Sequence, residues 1–146
     1  MKTPDTYLAC AMTSMPTEEY EVFRHSLLSI CDALRERGLT PYSEPYERSL
    51  NTPESPLVVI QKNKKVLDNV QQFVLVYAHK QSASALIELG YAWARSVPIT
   101  VFAKEGVKLP YYLRHAETAA AFDIHITTFE SIDEVPNMIK EFKFND

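Results

Sequence analysis

Three short stretches of this sequence gather residue types that could do chemistry. The first is SASALIELGYAWAR, Ser82–Arg95, where Glu88 stands in the opening turns of a helix that follows an apolar strand. A carboxylate near a helix N-terminus is favoured as the anion. Such an anion, set against the anomeric carbon of a sugar, acts as nucleophile or stabilises an oxocarbenium-like state. A surface acid that pairs with Arg95 would look the same, since acidic residues are common in first turns. Helical spacing predicts Leu86, Leu89 and Trp93 on one side and Ser84, Glu88, Tyr91 and Arg95 on another.

The second stretch is AMTSMPT, Ala11–Thr17, which joins a strand to a helix. Backbone amides and the Ser14 hydroxyl there could hold a phosphate. The stretch has no glycine, so it is neither a dinucleotide fingerprint nor a P-loop, and plain capping by Thr17 explains it equally well. The third is SEPYERSL, Ser43–Leu50. Tyr46 could stack on a base and Arg48 could meet a phosphate or carboxylate, or the whole segment could be an exposed polar loop. The four histidines, His25, His79, His115 and His125, share no metal-ligand spacing. His79 alone falls just past the central strand, where an imidazole could exchange protons near neutral pH.

Strands and helices in alternation must position these residues. Strands are expected at Tyr7–Met12, Leu39–Ser43, Phe73–Tyr77, Ile99–Ala103 and Phe122–Ile126. Helices are expected at Thr17–Arg37, Leu57–Val70, Ala83–Arg95, Pro110–Ala116 and Ile132–Phe142. Glu18 and Glu19 suit the first turn of the first helix, and Gly38 suits its C-terminal cap. Glu44–Ser55, with Pro45 and Pro53, reads as a long loop. The aromatic stretch Leu109–Arg114 reads as a pocket cover or a subunit contact. Lys62, Lys64 and Lys65 read as a solvated helix face. The alternation implies right-handed βαβ units. The expected fold is therefore a single α/β domain over residues 1–146. It has a five-stranded, mainly parallel sheet flanked by helices, in a flavodoxin- or Rossmann-like winding. In such a sheet the ligand lies beyond the carboxyl ends of the strands, at the switch point.

Composition narrows the partners. The chain has 146 residues, a length that buries one core. Net charge is −4, which argues against general nucleic-acid binding but leaves room for a small anionic ligand held by a few amides. No window approaches the apolar length that spans a bilayer, and the N-terminus lacks the apolar core of a signal peptide. The two cysteines, Cys10 and Cys31, fall in apolar runs and read as buried free thiols. Together these features point to a reducing, cytoplasmic setting, with no membrane partner.

The arrangement of Tyr7-Leu8-Ala9, the FVLVY strand, a Ser-rich turn, Glu88-Leu89-Gly90-Tyr91-Ala92, then Pro98 and a strand resembles the nucleoside 2-deoxyribosyltransferase-like superfamily. That superfamily includes nucleoside deoxyribosyltransferases and nucleotide N-glycoside hydrolases, and is similar in fold to TIR-type NAD-cleaving domains. The resemblance covers Tyr7 to Ala103. It implies cleavage or transfer at the N-glycosidic bond of a nucleoside or nucleotide, with Glu88 at the anomeric carbon and Tyr7 orienting it. It also implies a homo-oligomer of two or more copies, with no metal or redox cofactor. Two positions depart from the pattern. Ser82 stands where family members often carry an Asp that grips the sugar hydroxyls, and Asn63 stands where a second Asp assists with the base. Ser82 and Ser84 can donate hydrogen bonds to a hydroxyl or phosphate, and Asn63 can bond a base, but none supplies a negative charge or a ready proton. Base exchange suffers most from these changes, whereas hydrolysis survives them better. A nucleotide-sensing module without turnover, and a TIR-like NAD-cleaving effector, are the competing expectations.

Overall fold

The computed structural model describes residues 2–10, 17–45, 54–78, 83–119 and 123–144. Ser14, Tyr46, Arg48, His79 and Ser82 lie outside the described residues. Five strands form one all-parallel sheet: β1 (Thr6–Cys10), β2 (Pro41–Tyr42), β3 (Gln72–Tyr77), β4 (Ile99–Lys104) and β5 (Ile124–Phe129). Their order is β2-β1-β3-β4-β5, the flavodoxin-like winding, and the switch point lies between β1 and β3. The α-helices bounded wholly within the described residues are α1 (Thr17–Glu36), α2 (Pro56–Leu67), α3 (Ala83–Ala94), α4 (Tyr111–Ala119) and α5 (Val135–Glu141).

Both faces of the sheet are covered, which is why its strands read as nearly continuous apolar runs. On one face Tyr7, Phe73, Leu75 and Tyr77 pack against Leu67 of α2, Ala85, Leu89 and Ala92 of α3, and Leu113 of α4. On the other, Leu8, Val74, Val76 and Phe102 pack against Leu27, Ile30 and Leu34 of α1 and Val135 and Ile139 of α5. Burying each such side chain stabilises the fold by about 1.5–3 kcal/mol.

The boundaries differ from expectation for local reasons. The second strand shortens from Leu39–Ser43 to two residues, Pro41 and Tyr42. Pro41 has no N–H, and the Thr40 amide donates to the Asp5 carboxylate at 2.8 Å instead of entering the ladder. The second helix begins at Pro56 behind an Ser55 cap and stops at Leu67 instead of running to Val70. There the Asn69 amide side chain donates back to the Lys65 carbonyl at 2.7 Å, a local bond that competes with helix continuation. The last strand lies later than Phe122–Ile126, because β4 pairs with it from Ile99↔Ile124 to Lys104↔Phe129. The expected helix Ile132–Phe142 is a short 3₁₀ turn, Ile132–Glu134, followed by α5, whose regular turns start at a proline-bearing N-terminus. Glu44 and Pro45 are helical, so the segment read as a loop departs from that reading in its first two residues.

Gly38, at φ +82°, closes α1 as anticipated. Cys10 and Cys31 are free thiols. No helix among the described residues is long and apolar enough to cross a membrane.

Candidate active site

Tyr7, the second residue of β1, stands in the middle of a row of aromatic rings. Parallel pairing puts Tyr7 level with Tyr42 of β2 on one side and Phe73 of β3 on the other. The Tyr7 ring lies 5.6 Å from Phe73 with planes within 3°, and 5.6 Å from Tyr42 at 43°. Held between two neighbours, a ring that is only 1% exposed has one direction left for its hydroxyl. That direction is toward α3 and Glu88.

A cavity of about 340 Å³ opens there, lined by Tyr7, Cys10, Tyr20, Glu44, Ser84 and Glu88 among others. A second hollow of about 380 Å³ shares Glu44, Ser84 and Glu88 and continues to Asn63, Glu54 and Ile60 on the α2 side. The two are lobes of one cleft with Glu44, Ser84 and Glu88 between them. The cleft lies at the switch point, bounded by the strand ends and by α3.

Glu88 is half-buried, and its carboxyl is pushed up to about 7. Burial is the largest cause, since it penalises the anion. The Tyr7 hydroxyl opposes this and favours the anion, while the negative charge of Glu44 raises the value further. Burial raises the Tyr7 phenol well above the usual range, with Glu88 adding to the effect, so Tyr7 stays protonated. The hydroxyl couples electrostatically to Glu88 without closing a well-formed hydrogen bond, and it is buried with no other partner. A protonated donor thus faces a carboxyl group whose charge changes near neutrality. Cys10, also in the cleft, remains a thiol because burial raises it well above its ordinary value.

Asn63 reaches the cleft from α2. Its side-chain carbonyl accepts from the Tyr42 hydroxyl at 2.8 Å, which leaves the amide nitrogen as the end able to donate to a ligand. Ser84 is exposed and lines both lobes. Of the residues singled out from sequence, Glu88, Tyr7, Ser84 and Asn63 therefore come together on one cleft.

Other readings change. Arg95 donates to the backbone carbonyls of Leu67 and Val70, so it is not the partner of Glu88. Tyr91 donates to Asp68, which also pairs with Lys64 at 2.8 Å, and this cluster ties α2 to α3. The inward side of α3 is Ala85, Leu89 and Ala92, whereas Trp93 is 36% exposed, because the helix rolls its small residues onto the sheet. Tyr111 and Tyr112 stand exposed on α4, with Tyr112 beside Trp93 at 6.0 Å.

Two cleft features were not visible as site residues in the sequence. Tyr42 reads only as a strand residue until its hydroxyl is seen holding Asn63. Glu44 reads as one polar residue among several in SEPYERSL, although an acid just past a strand's carboxyl end was a usable signal.

No protein-family model and no curated protein sequence matches the chain. Solved structures do. The structure of a Clostridium botulinum CMP N-glycosidase, BcmB, superposes with a TM-score of 0.70, covering 94% of this chain and 98% of that one at 17% sequence identity. The solution structure of BlsM superposes with a TM-score of 0.72, covering 94% of this chain and 88% of that one, also at 17% identity. The shared property is the fold, and it is the fold that the resemblance implied.

Proposed function

We propose that this chain cleaves the N-glycosidic bond of a nucleotide or nucleoside, with Glu88 acting at the anomeric carbon. The observation that carries the reading is the placement of Glu88, a half-buried carboxylate at the switch-point cleft with a protonated Tyr7 hydroxyl facing it. Attack by one Glu88 oxygen on C1′ forms a glycosyl ester as the C1′–N bond breaks and its electron pair leaves with the base. Tyr7 holds the attacking carboxylate in register. Asn63 donates to an acceptor on the base, and Ser84 donates to sugar or phosphate oxygens, with Ser82, Ser14 and Tyr46 as further contacts. The fold shared with a CMP N-glycosidase supports this reading and makes CMP the first compound to try.

The test is base release. Purified protein is incubated with the ribo- and deoxyribonucleoside monophosphates, the corresponding nucleosides and NAD, and free base is followed by chromatography. Release by the wild type that stops in Glu88→Gln is the expected result. Release undiminished in Glu88→Gln removes Glu88 from the chemistry, and release of nicotinamide alone assigns the chain to NAD cleavage.

One observation favours binding without turnover. Asn63 cannot readily protonate a departing base, so a cleft that only senses a nucleotide fits that residue equally well. Nucleotide binding by both wild type and Glu88→Gln, with no base from either, would establish it. The reading also keeps a homo-oligomer. Leu57 and Ile60 of α2, Ile87 of α3, and Tyr111 and Tyr112 of α4 are 64–74% exposed on the helices that cover one face of the sheet. Apolar exposure on that scale marks an interaction surface.

A further inference from the structure

The cleft holds a second carboxylate that the proposed chemistry leaves unused. Glu44 follows β2, and its neighbour Pro45 is tied to α1 through its carbonyl, which accepts from the Tyr20 hydroxyl at 3.3 Å. Its side chain is half-buried and lines both lobes of the cleft together with Glu88. Two acids in one cavity could be a repulsive accident of the fold. A buried hydroxyl in the same cavity offers a place for oxygen beside them. The Tyr7 hydroxyl, on a side chain 1% exposed, lines the same cavity and is buried with no closed hydrogen-bond partner. A buried donor left open inside a polar cavity calls for a ligand or water oxygen.

We propose that Glu44 is the general base that activates water in the second half of the reaction, making this cleft a hydrolase rather than a transferase. The proposal rests on Glu88 forming a glycosyl ester. Once the base has departed, a water molecule enters beside Glu44. Its oxygen bonds to C1′ while the C1′–O bond to Glu88 breaks, and that electron pair returns to Glu88 as carboxylate. The water proton passes to Glu44 and then to solvent. The departing base takes its own proton from solvent, as Asn63 and Ser84 supply none. Two carboxylates, one nucleophilic and one acting on water, are the minimum set for hydrolysis with retained configuration.

The experiment compares wild type, Glu44→Gln, Glu44→Asp and Glu88→Gln on CMP and the other nucleoside monophosphates. Rapid-quench base release, intact-mass analysis and azide addition are read in parallel. Glu44→Gln is expected to release one equivalent of base per site in a burst. Steady-state turnover then falls by about 10²–10⁴-fold with KM little changed. The glycosyl adduct accumulates on Glu88, and azide, which needs no base, restores turnover by forming the glycosyl azide. Glu44→Asp keeps a carboxylate and retains part of the turnover. Full steady-state turnover by Glu44→Gln, or loss of its burst as well, overturns the role of Glu44 while leaving Glu88 in place. Equal base release by wild type and Glu88→Gln, or none by wild type from any of these compounds, overturns both readings together.

Discussion

The Tyr7 and Phe73 rings lie parallel and offset, their centroids 5.6 Å apart and their planes within 3°, at matched positions on adjacent parallel strands. The stack aims the Tyr7 hydroxyl, so Phe73 is a positioning residue for a group it never touches. Phe73→Leu keeps an apolar side chain but removes the flat surface. It is expected to cost about 1–2 kcal/mol in urea unfolding and to lower kcat of the folded protein with KM nearly unchanged. A folded variant with wild-type kcat would show that the stack serves stability alone.

The charge on Glu88 sets the acid side of the pH profile. Its carboxyl is pushed up to about 7, and the nucleophile is the anion, so kcat/KM should rise with pH and level off above about 7. The groups facing it are Tyr7, Glu44 and the Cys10 thiol. Tyr7→Phe removes the hydroxyl that favours the anion, so the rise moves to higher pH. Glu44→Gln removes a negative neighbour, so, read in the burst phase, the rise moves to lower pH. Shifts in the opposite directions would break the assignment.

The same burial makes Glu88 a stability liability. Folding moves its pKa from an ordinary 4.5 to about 7, so between those values the folded state holds more protons than the unfolded state. Stability therefore falls as pH rises from about 4.5 to 7, and the loss persists above that window. Discounted for partial exposure, the loss is about 2 kcal/mol. Glu88→Gln should be the more stable protein by about that amount at pH 8 and nearly equal to wild type at pH 4.5, as read by urea midpoints. A variant no more stable at pH 8 would contradict the burial argument.

Ser96 sits just past α3 at φ +58°, a left-handed conformation that costs a residue with a Cβ about 1 kcal/mol. Its amide donates to the Trp93 carbonyl at 2.9 Å, so the turn itself is well made. Ser96→Gly relieves the strain and, after the added freedom of the unfolded chain, should gain about 0.5 kcal/mol. Calorimetry should register a Tm increase, and a decrease would mean that the side chain makes a needed contact.

Ile87 is 74% exposed on α3, the helix that carries Glu88. If this face joins copies of the chain, Ile87→Asp should lower the sedimentation mass without changing the far-ultraviolet circular dichroism. A wild type that already sediments as a monomer would end the expectation of a homo-oligomer.

Much of this architecture could be read before any coordinates. FVLVY and YLAC announce buried strands because a parallel sheet covered on both faces leaves no polar alternation. The three- and four-residue spacing of Tyr20, Phe23, Leu27, Cys31 and Leu34 announces α1 for the complementary reason. Strand and helix ends were less legible. They depend on particular side-chain bonds, such as that of Asn69 to Lys65, which compete locally with the regular ladder.

What the sequence determined by itself is the list of elements, their alternation and the position of Glu88 in the opening turns of a helix after the central strand. These follow from local periodicity and composition. Only the tertiary structure decided what Glu88 faces. Tyr7, Tyr42 and Phe73 come from three separate strands and meet because parallel pairing sets them level. Glu44, just past β2, and Asn63, in the middle of α2, reach the same cleft. Such a constellation depends on register and on the angle at which α3 crosses the sheet, and no local pattern encodes either. Physically, the difference is that periodicity is a short-range property of the chain, whereas the field around a buried carboxylate is the sum of groups that folding brings from far along it.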